Sequence, residues 1–320
     1  MNTRKLVDPA LLPVLDVFPT VALTNEMLAP MRDAERFAQF PVELPPEAKE
    51  GIELTVRSVP GPAGAPEVSL HIYQPRHAAA PLPCIYHIHG GGYVGGSVAS
   101  MEALHRPLAH KLNCVIVSVD YRLAPEHIFP AAIEDCYAGL AWTFANAGAL
   151  GIDAKRIGVM GESAGGGLAA SLALLARDRG AYKLAFQHLI YPMIDDRTCV
   201  VAEPNPVAGE FIWTPHNNAF GWAALLGQPP GSPDVSPYAA AARATNLAGL
   251  PPTFIACPTL DLFIDEDVDY AQRLMHAGVP VDLIVYPGGF HGFDIFGGPA
   301  PLSVRARRDS LEALQRFLHG

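Results

Sequence analysis

Ser163 stands between Gly161 and Gly165, where the apolar run Ile157 to Met160 gives way to an alanine- and leucine-rich stretch beginning at Ala164. Gly-x-Ser-x-Gly between a strand and a helix suits a nucleophile. The backbone must turn sharply to lift the hydroxyl out of the sheet, and the residues two before and two after the serine crowd each other, so both must be glycine. An idle glycine-rich connection has the same letters, so the rest of the chain has to decide. A serine hydroxyl is a poor nucleophile near neutral pH; it needs a histidine to take its proton and a carboxylate to fix that histidine's tautomer. Acyl transfer also needs donors preorganised for the oxyanion of its tetrahedral intermediate.

The donors have a candidate in His89-Gly90-Gly91-Gly92, directly after the apolar run Cys84 to Ile88. Residues without side chains let backbone N–H groups approach a ligand, and the N–H of Ala164 can join those of Gly91 and Gly92. Gly90 to Gly95 also fits the dinucleotide pattern Gly-x-Gly-x-x-Gly, with Asp120 ending the next strand. That reading expects a helix at the glycines, where none begins, and leaves the serine elbow unexplained. His87-x-His89 could offer two metal ligands on one strand face, but no further ligand is fixed by the sequence, and structural histidines are the simpler reading. The base is expected after the last strand, where Tyr286-Pro287-Gly288-Gly289-Phe290-His291-Gly292-Phe293 supplies His291. His105, His110, His188, His276 and His319 fall in helical or strand positions. For the acid, Asp261 lies closest to the end of the seventh strand. Asp265-x-Asp267-x-Asp269 faintly suggests a calcium loop, but Tyr270 stands where glycine is needed, and no glutamate closes the loop at His276. The later acids suit the first turn of a helix. Ser163, Asp261, His291 is the order of the α/β-hydrolase fold.

Positioning these groups takes a sheet and its connections. Eight strands are expected at Glu53 to Val59, Val68 to Tyr73, Cys84 to Ile88, Cys114 to Val119, Ile157 to Met160, Phe186 to Tyr191, Thr253 to Cys257 and Val281 to Tyr286. The first two form an antiparallel hairpin. The others are apolar throughout and alternate with helices at Met101 to Leu112, Pro130 to Ala147, Ala164 to Arg177, Glu266 to Ala277 and Val304 to Leu318, which predicts a mostly parallel sheet covered on both faces. Between Asp195 and Pro237 the alternation lapses into a proline-rich insertion with Phe211, Trp213, Phe220 and Trp222. An insertion this long is usually functional, and it reads as a lid. An amphipathic helix from Asn25 to Phe40, with Met27, Leu28, Met31, Ala34 and Phe37 on one side, is expected to pack against it. Its polar side mixes Arg32, Asp33, Glu35 and Arg36, which does not suit a membrane-surface helix. The whole chain, 1–320, reads as one α/β-hydrolase domain with a helical cap built from about 1–50 and 195–237.

The formal net charge of −10 comes without any basic block, which argues against nucleic acid and anionic membrane surfaces as partners. Half the residues are apolar, enough for a large core. The first residues lack a cleavable apolar segment of signal-peptide type and no window is long enough to span a membrane, so the cytoplasm is expected. Five scattered cysteines, Cys84, Cys114, Cys136, Cys199 and Cys257, suit reduced core thiols better than disulfides or a zinc site.

With these residues assembled, the chain resembles the hormone-sensitive-lipase-like esterases of the bacterial type over nearly its whole length. The resemblance rests on His89-Gly90-Gly91-Gly92, Tyr121-Arg122-Leu123-Ala124-Pro125-Glu126, Gly161-Glu162-Ser163-Ala164-Gly165-Gly166 and Phe290-His291-Gly292-Phe293. Tyr191-Pro192, Asp195-Asp196-Arg197, Asp234-Val235-Ser236-Pro237-Tyr238 and Leu250-Pro251-Pro252-Thr253 look most similar to bacterial heroin esterases, which suggests acetyl-sized acyl groups. The resemblance implies a carboxylesterase with Ser163 as nucleophile, His291 as base and Asp261 as acid. Gly91, Gly92 and Ala164 become the oxyanion donors, and His89, Gly90 and Glu162 support the loop. Phe211, Trp213 and Trp222 are candidates for the substrate pocket. It implies no cofactor and no metal, a small-molecule ester substrate, and an edge strand Val281 to Tyr286 able to pair with a second copy as a homodimer. Family members without hydrolytic activity act as small-molecule receptors, typically having lost the histidine that His291 retains; amide or thioester hydrolysis by the same machinery is the nearer rival. Two departures stand out: Asp261-Leu262-Phe263 lacks the usual proline after the aspartate, and Glu162 replaces the commoner aspartate.

Overall fold

The computed structural model describes residues 3–18, 20–32, 44–77 and 81–320. Its strands are β1 Ile52–Val59, β2 Val68–Pro75, β3 Leu82–Ile88, β4 Val115–Asp120, β5 Ile152–Glu162, β6 Gln187–Ile190, β7 Thr253–Pro258 and β8 Val281–Tyr286. They form one sheet in the order β1-β2-β4-β3-β5-β6-β7-β8. β2 runs antiparallel to both its neighbours, and every pairing from β4 to β8 is parallel. This is the α/β-hydrolase sheet that the sequence predicts. β5 begins five residues earlier than its apolar run because Ile152 pairs with Leu82 across a bulge.

Both faces are covered. Tyr86, Ile88, Val117 and Val159 pack with Ile133, Cys136 and Leu140 of the helix Ala131–Ala145 and with Leu168 and Leu172 of the helix Ala164–Arg179. On the other face Ile85, Ile116, Met160 and Phe186 meet Ala109 and Leu112 of the helix Glu102–Leu112 and Leu314 and Leu318 of the helix Pro301–His319. Double-sided burial is why the central strands are unbroken apolar runs. The helix Ile264–His276 carries Asp265, Glu266 and Asp267 in its first turn, as its dipole favours, so those acids build a helix start and not a calcium loop.

Within the 195–237 insertion lies a helix, Pro215–Leu226, whose position the sequence reading, although it expected a helical cap, did not place. Its signals were local: Thr214 accepts from Asn217 N–H, proline occupies the first turn, and Gly227 ends it at φ 64°. The N-terminal helix is Asn25–Arg32, shorter than expected; residues 33–40, Ala34 and Phe37 among them, lie outside the described residues, as does the Met31 side chain. Leu23 and Leu28 are buried, and Asn217 ties Leu23 N–H and Val21 O to the insertion helix. No described helix is long and apolar enough to cross a membrane.

One sheet face is rich in histidine. Register places His71, Ser118, His87, Met160 and His188 in a single rung across β2, β4, β3, β5 and β6. His105, fully buried, stands with its ring centroid 4.2 Å from that of His87, and neither of its ring nitrogens has a partner among the described residues. Burial pushes His105 well below the ordinary imidazole range and His89 and His188 down to about 4. Such neutral histidines cost no stability above an unfolded pKa of about 6.5, but as pH falls below it the unfolded chain takes up protons that the folded chain refuses. Buried Glu266 and Asp267, with pKa raised by burial, oppose that trend, so a variant must isolate it. Relative to wild type, His105→Phe is expected to gain on the order of 1 kcal/mol per pH unit as pH drops from 6.5 toward 4, read by urea unfolding. A difference that stays flat across that range would contradict the assignment of a neutral His105.

Candidate active site

The elbow after β5 is a backbone solution before it is a chemical one. Ser163 has φ 56° and ψ −123°, a conformation side-chain-bearing residues rarely hold. A Cβ on Gly161 would come within 2.2 Å of Gly165 O, and one on Gly165 within 2.1 Å of Ile88 O. The crowding predicted from sequence is therefore real, but the second glycine is demanded mainly by the end of β3. The elbow is further held by Ser163 N–H donating to Ile190 O at 2.9 Å and by Gly167 and Met193 N–H groups donating to Ser163 O.

β5, β7 and β8 bring Ser163, Asp261 and His291 to one sheet edge, all buried. His291 Nε2 lies 3.0 Å from Ser163 Oγ, and Nδ1 lies 2.8 Å from Asp261 Oδ2. Asp261 Oδ1 accepts from Phe263 N–H at 3.1 Å, and Leu260 N–H donates to Gly289 O, joining the acid loop to the histidine loop. The turn is thus held without the usual proline. Three aromatic rings enclose the imidazole: Tyr191 and Phe263 edge-on, with centroids at 4.7 and 5.4 Å, and Trp213 tilted at 6.2 Å. Such a linked serine, imidazole and carboxylate can pass a proton from hydroxyl to ring while the carboxylate holds the other nitrogen.

Beside the serine runs the glycine loop. Gly91 and Gly92 adopt φ 126° and 62°, and Cβ atoms there would strike Gly95 O at 2.2 Å and the Trp213 ring at 2.2 Å. The N–H groups of Gly91, Gly92 and Ala164 make no hydrogen bond to another described residue. A Cβ on Gly90 would lie 2.8 Å from Glu162 O, so this loop touches the elbow directly. His89 is bonded to the loop: Nδ1 lies 2.8 Å from Gly90 O, its ring stacks on Tyr121 at 4.4 Å, and Tyr121 OH donates to His89 O. Glu162 turns away into the histidine face, where His87 Nε2 lies 2.9 Å from one carboxylate oxygen and His87 Nδ1 3.1 Å from Ser118 Oγ. His87 is thereby a partnered structural histidine, and the described residues hold no group of metal-ligating side chains.

Of the three pocket candidates, Trp213 stands over Gly92 and His291, and Phe211 packs on Phe290 at 6.1 Å. Trp222 is corrected: its ring has no exposed surface and packs against Tyr93 in the core, so no substrate can reach it. Between the two useful rings Ile212 sits at φ 62°, a strained turn for a β-branched residue that sequence gave no means to see. Tyr191, quoted only as part of a motif, is a missed neighbour of the site; besides meeting His291 it donates to Asp294 at 2.8 Å.

Residues 85–295 match the α/β-hydrolase fold family, and the chain belongs to it, in the hormone-sensitive-lipase-like branch. Among curated relatives, the carboxylesterase NlhH of Mycobacterium tuberculosis is 34% identical over 99% of this chain and 98% of its own. The esterase LipI of the same organism is 35% identical over 100% and 98%. Among solved structures, a bacterial heroin esterase superposes with a TM-score of 0.89 at 37% identity, covering 100% of both chains.

The elbow geometry can be tested by itself. Gly165→Ala is expected to destabilise the chain by more than ~3 kcal/mol, because its new methyl meets backbone that cannot move aside. Gly148→Ala, with nothing within 4 Å of the added carbon, should stay within ~0.5 kcal/mol of wild type. Equal melting temperatures for the two variants would contradict the packing described.

Proposed function

We propose that this chain is a serine carboxylic ester hydrolase acting on short acyl esters, acetyl to octanoyl. The observation that carries the reading is the hydrogen-bonded line from Ser163 Oγ through His291 to Asp261 beside unpaired glycine-loop N–H groups. The carboxylesterase and esterase names of relatives matched over nearly the full chain support the same class. Ser163 Oγ attacks the ester carbonyl carbon as its proton passes to His291 Nε2. The oxyanion accepts from Gly91, Gly92 and Ala164 N–H groups, and Asp261 keeps the imidazolium oriented. Collapse breaks the bond to the alcohol, which leaves with the proton from His291. Water then gives a proton to His291 as its oxygen attacks the acyl carbon; collapse breaks the bond to Ser163 Oγ, which takes the proton back from His291, and the carboxylic acid leaves and ionises in water.

Short acyl preference is supported by the rings of Trp213 and Phe263 closing around His291, with Phe211 packed on the neighbouring Phe290. The insertion 195–237 and the N-terminal segment form the cap in this reading, since Trp213 and the helix Pro215–Leu226 both touch Gly92 or its carbonyl. β8, at the sheet edge, is the surface for pairing with a second copy. Five free cysteines, four of them buried, accord with a cytoplasmic protein.

Ser163→Ala is expected to lower kcat/KM on the acetyl ester of a chromogenic phenol by about 10⁴-fold or more, and Asp261→Asn by a comparable factor, because an amide favours the wrong tautomer. Intact-mass analysis after a fluorophosphonate probe should find one adduct, absent from the serine variant. Undiminished hydrolysis by Ser163→Ala would sink the mechanism, and a preference for long emulsified acyl chains would move the reading to a lipase.

A further inference from the structure

The N-terminal helix Asn25–Arg32 ends in a side chain that the catalytic steps do not use. Arg32 Nε donates to Val94 O at 2.7 Å, Nη2 to Ala124 O at 2.6 Å, and Nη1 to Glu126 Oε1 at 2.8 Å. Val94 belongs to the turn that follows the glycines: Val94 and Gly95 N–H groups both donate to Gly91 O, at 3.1 and 2.9 Å. Ala124 N–H donates to Tyr93 O at 3.0 Å. One planar guanidinium therefore ties three pieces of chain together, the N-terminal helix, the Gly91–Gly95 turn and the Tyr121–Glu126 loop.

That turn needs outside support. Gly91 and Gly92 hold left-handed conformations, and glycine has more freedom to lose than any other residue. Trp213 and Gly221 press on Gly92 and its carbonyl, which limits the loop sterically. Tyr93 OH donates to Met193 O at 2.7 Å, and Arg32 adds a further polar restraint through charge-assisted bonds whose fork geometry a lysine cannot reproduce. Its ion pair with Glu126 is mostly solvated, the glutamate side chain being 55% exposed, and contributes little by itself.

We propose that Arg32 is a positioning residue for the oxyanion donors: by gripping Val94 O and Ala124 O, it holds the Gly91–Gly95 turn where the Gly91 and Gly92 N–H groups meet the developing charge. This rests on the ester-hydrolase reading. The N-terminal segment then sets the rate of the chemical step without touching substrate, because an error of about 1 Å in such a donor costs up to about 10²-fold.

The full chain is tested as wild type, Arg32→Met, Arg32→Lys, Arg32→Ala and Glu126→Gln, with kcat normalised to the serine titrated by a fluorophosphonate. Arg32→Met is expected to lower kcat on the acetyl ester by about tenfold or more while KM changes by less than about threefold. Affinity for a trifluoromethyl ketone, whose serine adduct carries an oxyanion, should fall in parallel. Arg32→Lys should recover only part of the loss, methylguanidinium should raise kcat of Arg32→Ala, and Glu126→Gln should stay within about twofold of wild type. A merely structural arginine would lower the melting temperature and the titrated fraction but not kcat per titrated site. Should Arg32→Met not fold, Arg32→Lys carries the comparison. An active wild type with unchanged normalised kcat in the arginine variants overturns this proposal alone, as does a kcat loss without weaker ketone binding. A wild type that hydrolyses no ester overturns the functional reading and this proposal together.

Discussion

The whole site depends on how closely backbone approaches backbone at the elbow. Gly165 lies against the end of β3, Gly161 lies against Gly165, and Gly90 lies against Glu162 O, all at separations where a single methyl group has no room. This contact fixes the distance between the serine and the glycine loop. Because β3 and β5 are hydrogen-bonded neighbours, with Ile88 opposite Gly161, the glycine loop and Ser163 leave adjacent strands at the same level. The close-packed interior turns a few missing side chains into a rigid spacing. Everything on the histidine side is then delivered from β7 and β8, two and three strands beyond β5 along the same edge.

Charge is distributed around this edge with care for burial. Of the carboxylates close by besides Asp261, Glu162, Glu266 and Asp267 are each handled differently. Glu162 is engaged by His87 on the far face, Glu266 accepts from Ile194 and Asp195 N–H groups and from Thr198, and Asp267 has no partner among the described residues. Burial raises the pKa of the last two well above the carboxylate range, with Asp261 and Glu266 adding to the effect at Asp267. A neutral Asp267 avoids an unpaired buried charge next to Asp261. Glu266, bound to the backbone at Ile194 and Asp195, also ties the start of the insertion to the helix that follows the acid loop.

Much of this was legible because local and global signals agree. The eight strands were readable from apolar runs, the elbow from its glycines, and the order of Ser163, Asp261 and His291 from position after strands alone. What escaped the sequence falls into two kinds. The helix Pro215–Leu226 was hidden by the surrounding prolines although its Thr-Pro start and Gly end were in plain view. Trp222 was misjudged for a different reason: an aromatic residue on a capping helix has the same letter whether its ring faces a pocket or the core, and only the placement of Tyr93 decides. The pairing of Glu162 with His87 and of Tyr191 with Asp294 joins residues 75 and 103 positions apart, where no short pattern can signal contact.

The missing proline after Asp261 shows how a site keeps its geometry when a local determinant is lost. Proline would preset one backbone angle of the turn and remove conformations from the unfolded chain. Here Leu262 leaves that freedom, and the turn is closed by bonds instead. Asp261 Oδ1 takes the Phe263 N–H, Asp261 O takes the Ile264 N–H, and Leu260 N–H reaches Gly289 O. Phe263 gains a second role, since the residue whose N–H orients the carboxylate also sets its ring edge-on against the imidazole. The bond from Leu260 to Gly289 links the acid loop to the histidine loop, so the two partners shift together and the 2.8 Å contact between Asp261 and His291 is preserved by construction. A turn fixed by proline would hold Asp261 relative to its own strand; a turn fixed this way holds it relative to His291.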